Sequence, residues 1–357
     1  MTRVLIIAEA GVNHDGSLDD ALTMIDVAAA AGADVVKFQT FRAEALVTTR
    51  AAKAAYQVAN TGHDGGQMAM LKQLELGADD HDVLLQRCRA RGIRFMSTAF
   101  DMDSLDLLAG LDMPAIKIPS GDLTWGSMLL KAARVGPPLI VSTGMATLEE
   151  VRQALAVIAF AISRPGQPSS WADVEAAWGD PSARAALAQK VTLLHCTTQY
   201  PAPPEAVNLR AMTTMAEAFD LPVGYSDHTL GTAVSIAAVA RGAVVIEKHF
   251  TLDRQRPGPD HAASLEPDEL TAMIAAIRTV QTALGSSVKA PTPAEAGNIA
   301  IARRGLVASR PIAAGEVLVA DMLTAKRPAD GVSPMRIWDL VGTSARGPLA
   351  PDEAILP

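Results

Sequence analysis

The sequence predicts an α/β protein: a (β/α)8 TIM barrel followed by a small, β-rich C-terminal module. Three observations carry this. Eight short apolar runs alternate with helix-like stretches over the first four-fifths of the chain. Eight such units in about 250 residues is the count for a parallel barrel, whose strands need helical crossovers. After the last unit the texture changes to short runs divided by turns. A doubly wound open sheet is the runner-up, weakened because no G-x-G-x-x-G turn follows the first run.

The strand-like runs are Val4–Ala8, Asp34–Gln39, Ile93–Ser97, Ala115–Ile118, Leu139–Ser142, Val191–Cys196, Pro222–Gly224 and Ala243–Glu247. Helical patterning falls at Ser17–Ala31, Asp79–Arg91, Ser104–Ala109, Leu148–Ile162, Leu209–Phe219, Thr232–Arg241 and Pro267–Leu284. Ser17 is placed to cap the first helix, with Asp20 three residues on. Ser163–Ser182, rich in Pro, Gly and Ser, reads as an irregular excursion between the fifth and sixth units. Val288–Gly297, with Pro291 and Pro293, reads as a linker. The expected boundaries are a barrel at 1–285, a linker at 286–301 and the small module at 302–357. Within the module, Arg304–Val307, Glu316–Val319 and Met322–Lys326 are the short runs.

Composition narrows the function. The 357 residues hold 31 Lys and Arg against 39 Asp and Glu, a net charge of −8, with 49% apolar residues. That balance excludes a disordered chain, and net acidity without a basic block argues against nucleic acid as a partner. The longest apolar run, Ala154 to Ile162, is far below the ~18 residues of a membrane span. The first run lacks the length of a secretion signal, and two cysteines suit a reducing cytoplasm.

Polar side chains cluster just past the apolar runs, which in a barrel meet at one rim. Glu9, Asn13 and His14 follow the first run; Lys37 and Gln39 end the second. Thr98, Lys117, Ser120, Asp122, Ser142, Tyr200, Ser226, His228, Glu247 and His249 follow the others. Strand ends are polar in any protein, but an unpaired buried ammonium is costly, so Lys37 and Lys117 point to an anion. The hydroxyls beside them suit phosphate or carboxylate. A Schiff base at Lys117 is the rival use. His228 and His249 end strands beside carboxylates and are placed to share a divalent metal with open positions. His63, His81 and His261 read as structural or surface residues, and Cys196 as a rim thiol. A third possibility, a carbohydrate- or ice-binding module on a retired barrel, needs rim residues to be missing, and they are present.

With these residues in view, the chain resembles the N-acetylneuraminate (sialic acid) synthase family. The resemblance is carried by Ala8-Glu9-Ala10-Gly11-Val12-Asn13-His14-Asp15-Gly16, Val36-Lys37-Phe38-Gln39-Thr40, Ile116-Lys117-Ile118-Pro119-Ser120-Gly121 and Ser142-Thr143-Gly144-Met145. It continues through His195-Cys196-Thr197, Tyr225-Ser226-Asp227-His228-Thr229, Glu247-Lys248-His249-Phe250, Gly258-Pro259-Asp260-His261 and Ser264-Leu265-Glu266-Pro267. The tail, from Arg303-Arg304 to Lys326-Arg327-Pro328, is similar to an antifreeze-like (SAF) domain.

The resemblance implies condensation of phosphoenolpyruvate with N-acetylmannosamine, giving N-acetylneuraminate and phosphate by C–O cleavage. The alternative is a legionaminic acid synthase using 2,4-diacetamido-2,4,6-trideoxymannose. It further implies that His228 and His249 hold Mn²⁺, with Mg²⁺ or Co²⁺ possible, and that Lys37, Thr98, Lys117, Ser120, Ser142 and Ser226 cradle phosphoenolpyruvate. Glu9, Gln39, Asn60, Tyr200 and Asp260 would hold the sugar, with Glu9 and Asp122 also in catalysis. Arg327 would reach the sugar across a domain-swapped homodimer. Members commonly carry Glu where this chain has Asp122, and some carry Asn at the position of Thr198. Thr197–Pro201 and Asp260–Ser264 look more like the sialic and legionaminic branches than the pseudaminic one.

Overall fold

The computed structural model describes residues 3–62 and 66–357; His63 lies outside them. The chain divides into two compact units, Met1–Gly285 and Ser286–Pro357. In the first, β1 (Leu5–Gly11), β2 (Val35–Thr40), β3 (Arg94–Ala99), β4 (Ile116–Ile118), β5 (Leu139–Ser142), β6 (Val191–Cys196), β7 (Val223–Asp227) and β8 (Val245–His249) close a barrel in sequence order. Neighbours are parallel, and β1 pairs with both β2 and β8. The expected barrel is what forms.

Local chemistry starts the helices where expected. Ser17 accepts from the Asp20 backbone N–H at 3.2 Å and opens the helix Leu18–Ala30, with Asp19 and Asp20 on the favourable end of its dipole. Asp101 caps Met102–Ala109 through Ser104 N at 2.7 Å. The apolar faces of the outer helices pack on the outward side chains of the strands in one large core.

One expectation needs correction here, and two stretches gain detail. The stretch read as irregular between β5 and β6 contains the helix Trp171–Trp178 and the start of Pro181–Lys190. Pro181 begins a helix, because its missing N–H is unneeded there and Asp180 accepts from Ser182 N at 2.9 Å. Both helices bury apolar residues, Val174 and Ala177 in one and Ala183 and Leu187 in the other. Between β2 and the helix Ala78–Arg91 lie three short helices, Ala43–Leu46, Ala55–Thr61 and Gln67–Lys72, too brief to show a period. In the stretch expected to link the two units, Pro293–Glu295 and Ala296–Ala302 are helical.

In the second unit β9 (Gly305–Ala308) and β10 (Leu323–Lys326) pair antiparallel. The run Glu316–Val319 makes a single bridge, Val317 to Ser344, rather than a strand. A small core of Leu306, Ala308, Ile312, Leu318, Met322, Leu323, Ala345 and Ile355 holds this unit. Among the described residues no helix is long and apolar enough to cross a membrane.

Candidate active site

Strand alternation builds the barrel interior in layers. Ile7, Val35, Met96, Ala115, Ile140, Leu194 and Val245 form an apolar plug. On β7 the corresponding place falls to Gly224, where a Cβ would stand 2.7 Å from Leu194 Cδ2 and 2.8 Å from Val245 Cβ. Two residues further along each strand the same alternation presents Glu9, Lys37, Thr98, Lys117, Ser142, Cys196, Ser226 and Glu247. Two further still come Gln39, Phe100, Pro119, Thr198, His228 and His249. All of these line one cavity of about 230 Å³. At the same height on β1 stands Gly11, at φ +55°, where a Cβ would meet His249 Cε1 at 3.2 Å.

The lower polar layer is a charge-balanced knot. Lys37 Nζ lies 2.5 Å from Glu9 Oε2 and 3.5 Å from Glu247 Oε2, and it donates to Thr98 Oγ1 at 3.0 Å. Lys117 Nζ lies 3.3 Å from Glu247 Oε1, which also accepts from Ser226 Oγ at 2.7 Å. Two ammonium groups opposed by two carboxylates can survive burial where any one alone could not. Burial works against the Glu247 carboxylate, yet Lys117 and Lys37 together hold it well below the usual range. Burial also opposes the Lys37 charge, but Glu247 and Glu9 keep it above the ordinary lysine range. For Glu9 burial wins over the pull of Lys37 and pushes its carboxyl up to about 7. Ser142 Oγ is buried without a partner. Ser120 Oγ accepts from Gly144 N at 3.0 Å and lies 3.1 Å from Cys196 Sγ.

The upper layer carries the imidazoles. The His228 and His249 ring centroids are 5.6 Å apart. His228 Nδ1–H donates to the Thr197 carbonyl at 2.7 Å, which leaves the Nε2 lone pair free in the neutral ring. His249 Nδ1 has no hydrogen-bond partner and stands 4.0 Å from Asp260 Oδ2. Burial lowers His228 to about 4 and takes His249 well below its ordinary range. Neutral imidazole is the ligating form, so the pair fits a divalent ion. Among the described residues no group of three or more His, Cys, Asp or Glu is arranged to hold a metal. The remaining ligands would be oxygens from water or substrate, which suits Mn²⁺ or Mg²⁺ better than a closed zinc site. The Tyr200 ring lies 4.2 Å from His228 and 5.6 Å from His249.

Four anticipated residues stand outside the cavity lining. Asp122 lies on the turn Ser120–Asp122 with a buried, unpartnered Oδ2, and burial raises its carboxyl to about 6. Asp260 is buried near His249, and burial raises it likewise to about 6. Asn60 donates its side-chain amide to the Pro259 carbonyl at 2.7 Å, so it ties down the segment beside Asp260. Arg327 is exposed in the second unit, just after β10. His81 and His261 are fully buried; His81 bonds Thr40 and Gly77, and His261 bonds Thr251 and Asp15.

Other lining residues carried no assigned role: Glu247, Tyr56, Phe100, Met145 and Cys196. Glu247 is among the strand-end residues that the sequence marks, and its role as counter-charge to both lysines comes only from the structure. Tyr56 is not so marked, because it rides on an inserted helix.

Comparison with known proteins matches residues 24–289 to the NeuB family and residues 303–357 to the SAF domain. The chain is 45% identical over 355 residues to N,N'-diacetyllegionaminic acid synthase of Campylobacter jejuni subsp. jejuni, covering 99% of both chains. It is 43% identical to the protein of the same name from Legionella pneumophila, covering 95% of this chain and 89% of the relative. The crystal structure of N-acetylneuraminic acid (sialic acid) synthetase from Leptospira borgpetersenii is 31% identical, with a TM-score of 0.67 over 84% of this chain and 90% of that one. These relatives are sugar acid synthases, and the two named legionaminic shift the weight from N-acetylneuraminate synthesis, the leading expectation, to its alternative. The chain belongs to the NeuB family.

Proposed function

We propose that the barrel condenses phosphoenolpyruvate with 2,4-diacetamido-2,4,6-trideoxymannose in its open-chain aldehyde form, releasing phosphate and giving N,N'-diacetyllegionaminic acid. The observation that carries the reaction class is the convergence of two buried lysines and several hydroxyls one layer beneath a pair of neutral imidazoles. The choice of sugar rests on the names of the two relatives above 40% identity. N-acetylmannosamine is the second reading, favoured by the sialic acid synthetase likeness.

In this reading Lys37 and Lys117 neutralise the phosphate and carboxylate of phosphoenolpyruvate, with Thr98, Ser120, Ser142 and Ser226 donating or accepting at its oxygens. Gln39, Tyr200 and Asp260 orient the sugar so that its aldehyde carbon faces C3 of phosphoenolpyruvate. The new C–C bond forms there, water adds at C2, and phosphate leaves with its bridging oxygen. Glu9, pressed by burial toward its neutral form, holds a transferable proton on its carboxyl. His228 and His249 would hold the divalent metal, which supplies Lewis-acid polarisation of the aldehyde oxygen. The family resemblance adds a domain-swapped homodimer, with Arg327 of the partner subunit on the sugar. The exposed Met335 and Trp338 of the second unit, each 77% exposed, support a covering surface there.

The deciding assay follows phosphate release from phosphoenolpyruvate with Mn²⁺ and a panel of acylated mannosamine-type sugars. Release with the diacetamido sugar supports the reading, and release with none removes it. A borohydride-trapped pyruvate adduct on Lys117, formed without metal, would favour the Schiff-base rival.

A further inference from the structure

We propose that Tyr56 is a specificity-determining residue: its ring face reads the far end of the sugar chain and favours a terminal methyl over a hydroxymethyl group. This rests on the condensing reading given above.

Tyr56 belongs to the helix Ala55–Thr61, inserted between β2 and the helix Ala78–Arg91 rather than set on a strand end. It nevertheless lines the same cavity as the two lysines. Its ring lies 5.2 Å from Tyr200, whose ring lies 4.2 Å from His228. Two tyrosine rings in succession, Tyr200 and then Tyr56, therefore lead away from the imidazole pair. Phe100, two residues past Thr98 at the end of β3, adds a third aromatic side chain to the lining beside Tyr56 and Tyr200.

The row is held in place. One turn beyond Tyr56, Asn60 donates to the Pro259 carbonyl at 2.7 Å, and the next residue, Asp260, stands 4.0 Å from His249. Burial first, and the Asp260 carboxylate second, hold the Tyr56 phenol above its ordinary range, so the ring is neutral.

The chemistry of the two regions then sorts the two substrates. The lysine layer offers strong donors and suits phosphate and carboxylate. The aromatic row offers faces. A hydroxyl pressed on a ring face loses its water without gaining an equal partner, whereas a methyl gains contact at no such cost. A tail ending in a methyl group is the better occupant.

The test uses the full chain with Mn²⁺ and phosphoenolpyruvate and three aldehydes: 2,4-diacetamido-2,4,6-trideoxymannose, N-acetylmannosamine and 6-deoxy-N-acetylmannosamine, the last differing from N-acetylmannosamine only at the terminal carbon. Tyr56→Ala should lower kcat/KM for both methyl-ended sugars by about tenfold or more, with a change of less than about threefold for N-acetylmannosamine. The KM for phosphoenolpyruvate should stay within about twofold, which also shows that the site remains folded. Tyr56→Phe should retain the wild-type preference. Equal losses on N-acetylmannosamine and its 6-deoxy form, or an equal rise in the phosphoenolpyruvate KM, would overturn the proposal. Wild-type preference for N-acetylmannosamine over its 6-deoxy form overturns the methyl preference while leaving the condensing reading standing; no phosphate release with any of the sugars removes both.

Discussion

The Lys117 ammonium sits 3.3 Å from a Glu247 carboxylate oxygen, and both side chains are at most 6% exposed. The same carboxylate is shared with Lys37, at 3.5 Å. Glu247 is thus the counter-charge that lets two cations wait in a buried pocket for an anion. Glu247→Gln should destabilise the ligand-free protein by about 3 kcal/mol, the scale of breaking a buried ion pair. Phosphoenolpyruvate should then raise the variant's Tm more than the wild type's, because the anion replaces the missing charge. Thermal melts with and without the ligand decide it; equal shifts would contradict the assignment.

The imidazole pair is proposed to bind metal through neutral rings, so two interventions should agree. His228→Ala should abolish phosphate release while leaving the circular dichroism spectrum and melting cooperativity unchanged. Chelation of the wild type should do the same, with activity returning on Mn²⁺ addition. A full-rate His228→Ala enzyme would remove that residue from the mechanism.

Buried His14 makes the fold sensitive to acid. Its Nδ1 accepts from the Gly16 N–H at 3.0 Å, its Nε2 has no partner, and burial lowers it to about 4. Between the unfolded value of about 6.5 and the folded value, the unfolded chain binds the proton and the native chain does not. Stability therefore falls as pH falls through that window, by up to about 3 kcal/mol from this group. His14→Asn keeps an acceptor for Gly16 and removes the titration. Urea midpoints at pH 7 and pH 5 should lie closer together in the variant than in the wild type.

Arg327, exposed on the second unit, is proposed to meet the sugar across a homodimer. Arg327→Ala should raise the sugar's apparent KM by about tenfold or more, with little effect on that of phosphoenolpyruvate. Equal effects on both would contradict its place. Mixing Arg327→Ala with an inactive His228→Ala chain should restore part of the activity, since heterodimers hold one site with both residues intact.

Much of the site was legible because strand alternation is a property of the chain. Lys37, Lys117, Ser142 and Glu247 each lie two residues past an apolar inward position, so the residue order itself assigns them to the barrel interior. Ser17 and Asp20 likewise mark a helix start by local hydrogen bonding alone. Pro181 misled, since proline reads as a breaker unless the preceding cap is recognised. What one strand cannot encode is its opposite side. That Glu247 on β8 answers both Lys37 on β2 and Lys117 on β4 depends on barrel closure. That Tyr56 comes against Tyr200, and that Asn60 turns away to Pro259, depends on how an inserted helix folds over the barrel mouth. The side on which a residue lies follows from backbone geometry two residues at a time; its partners follow from which distant segments share the smallest exposed surface.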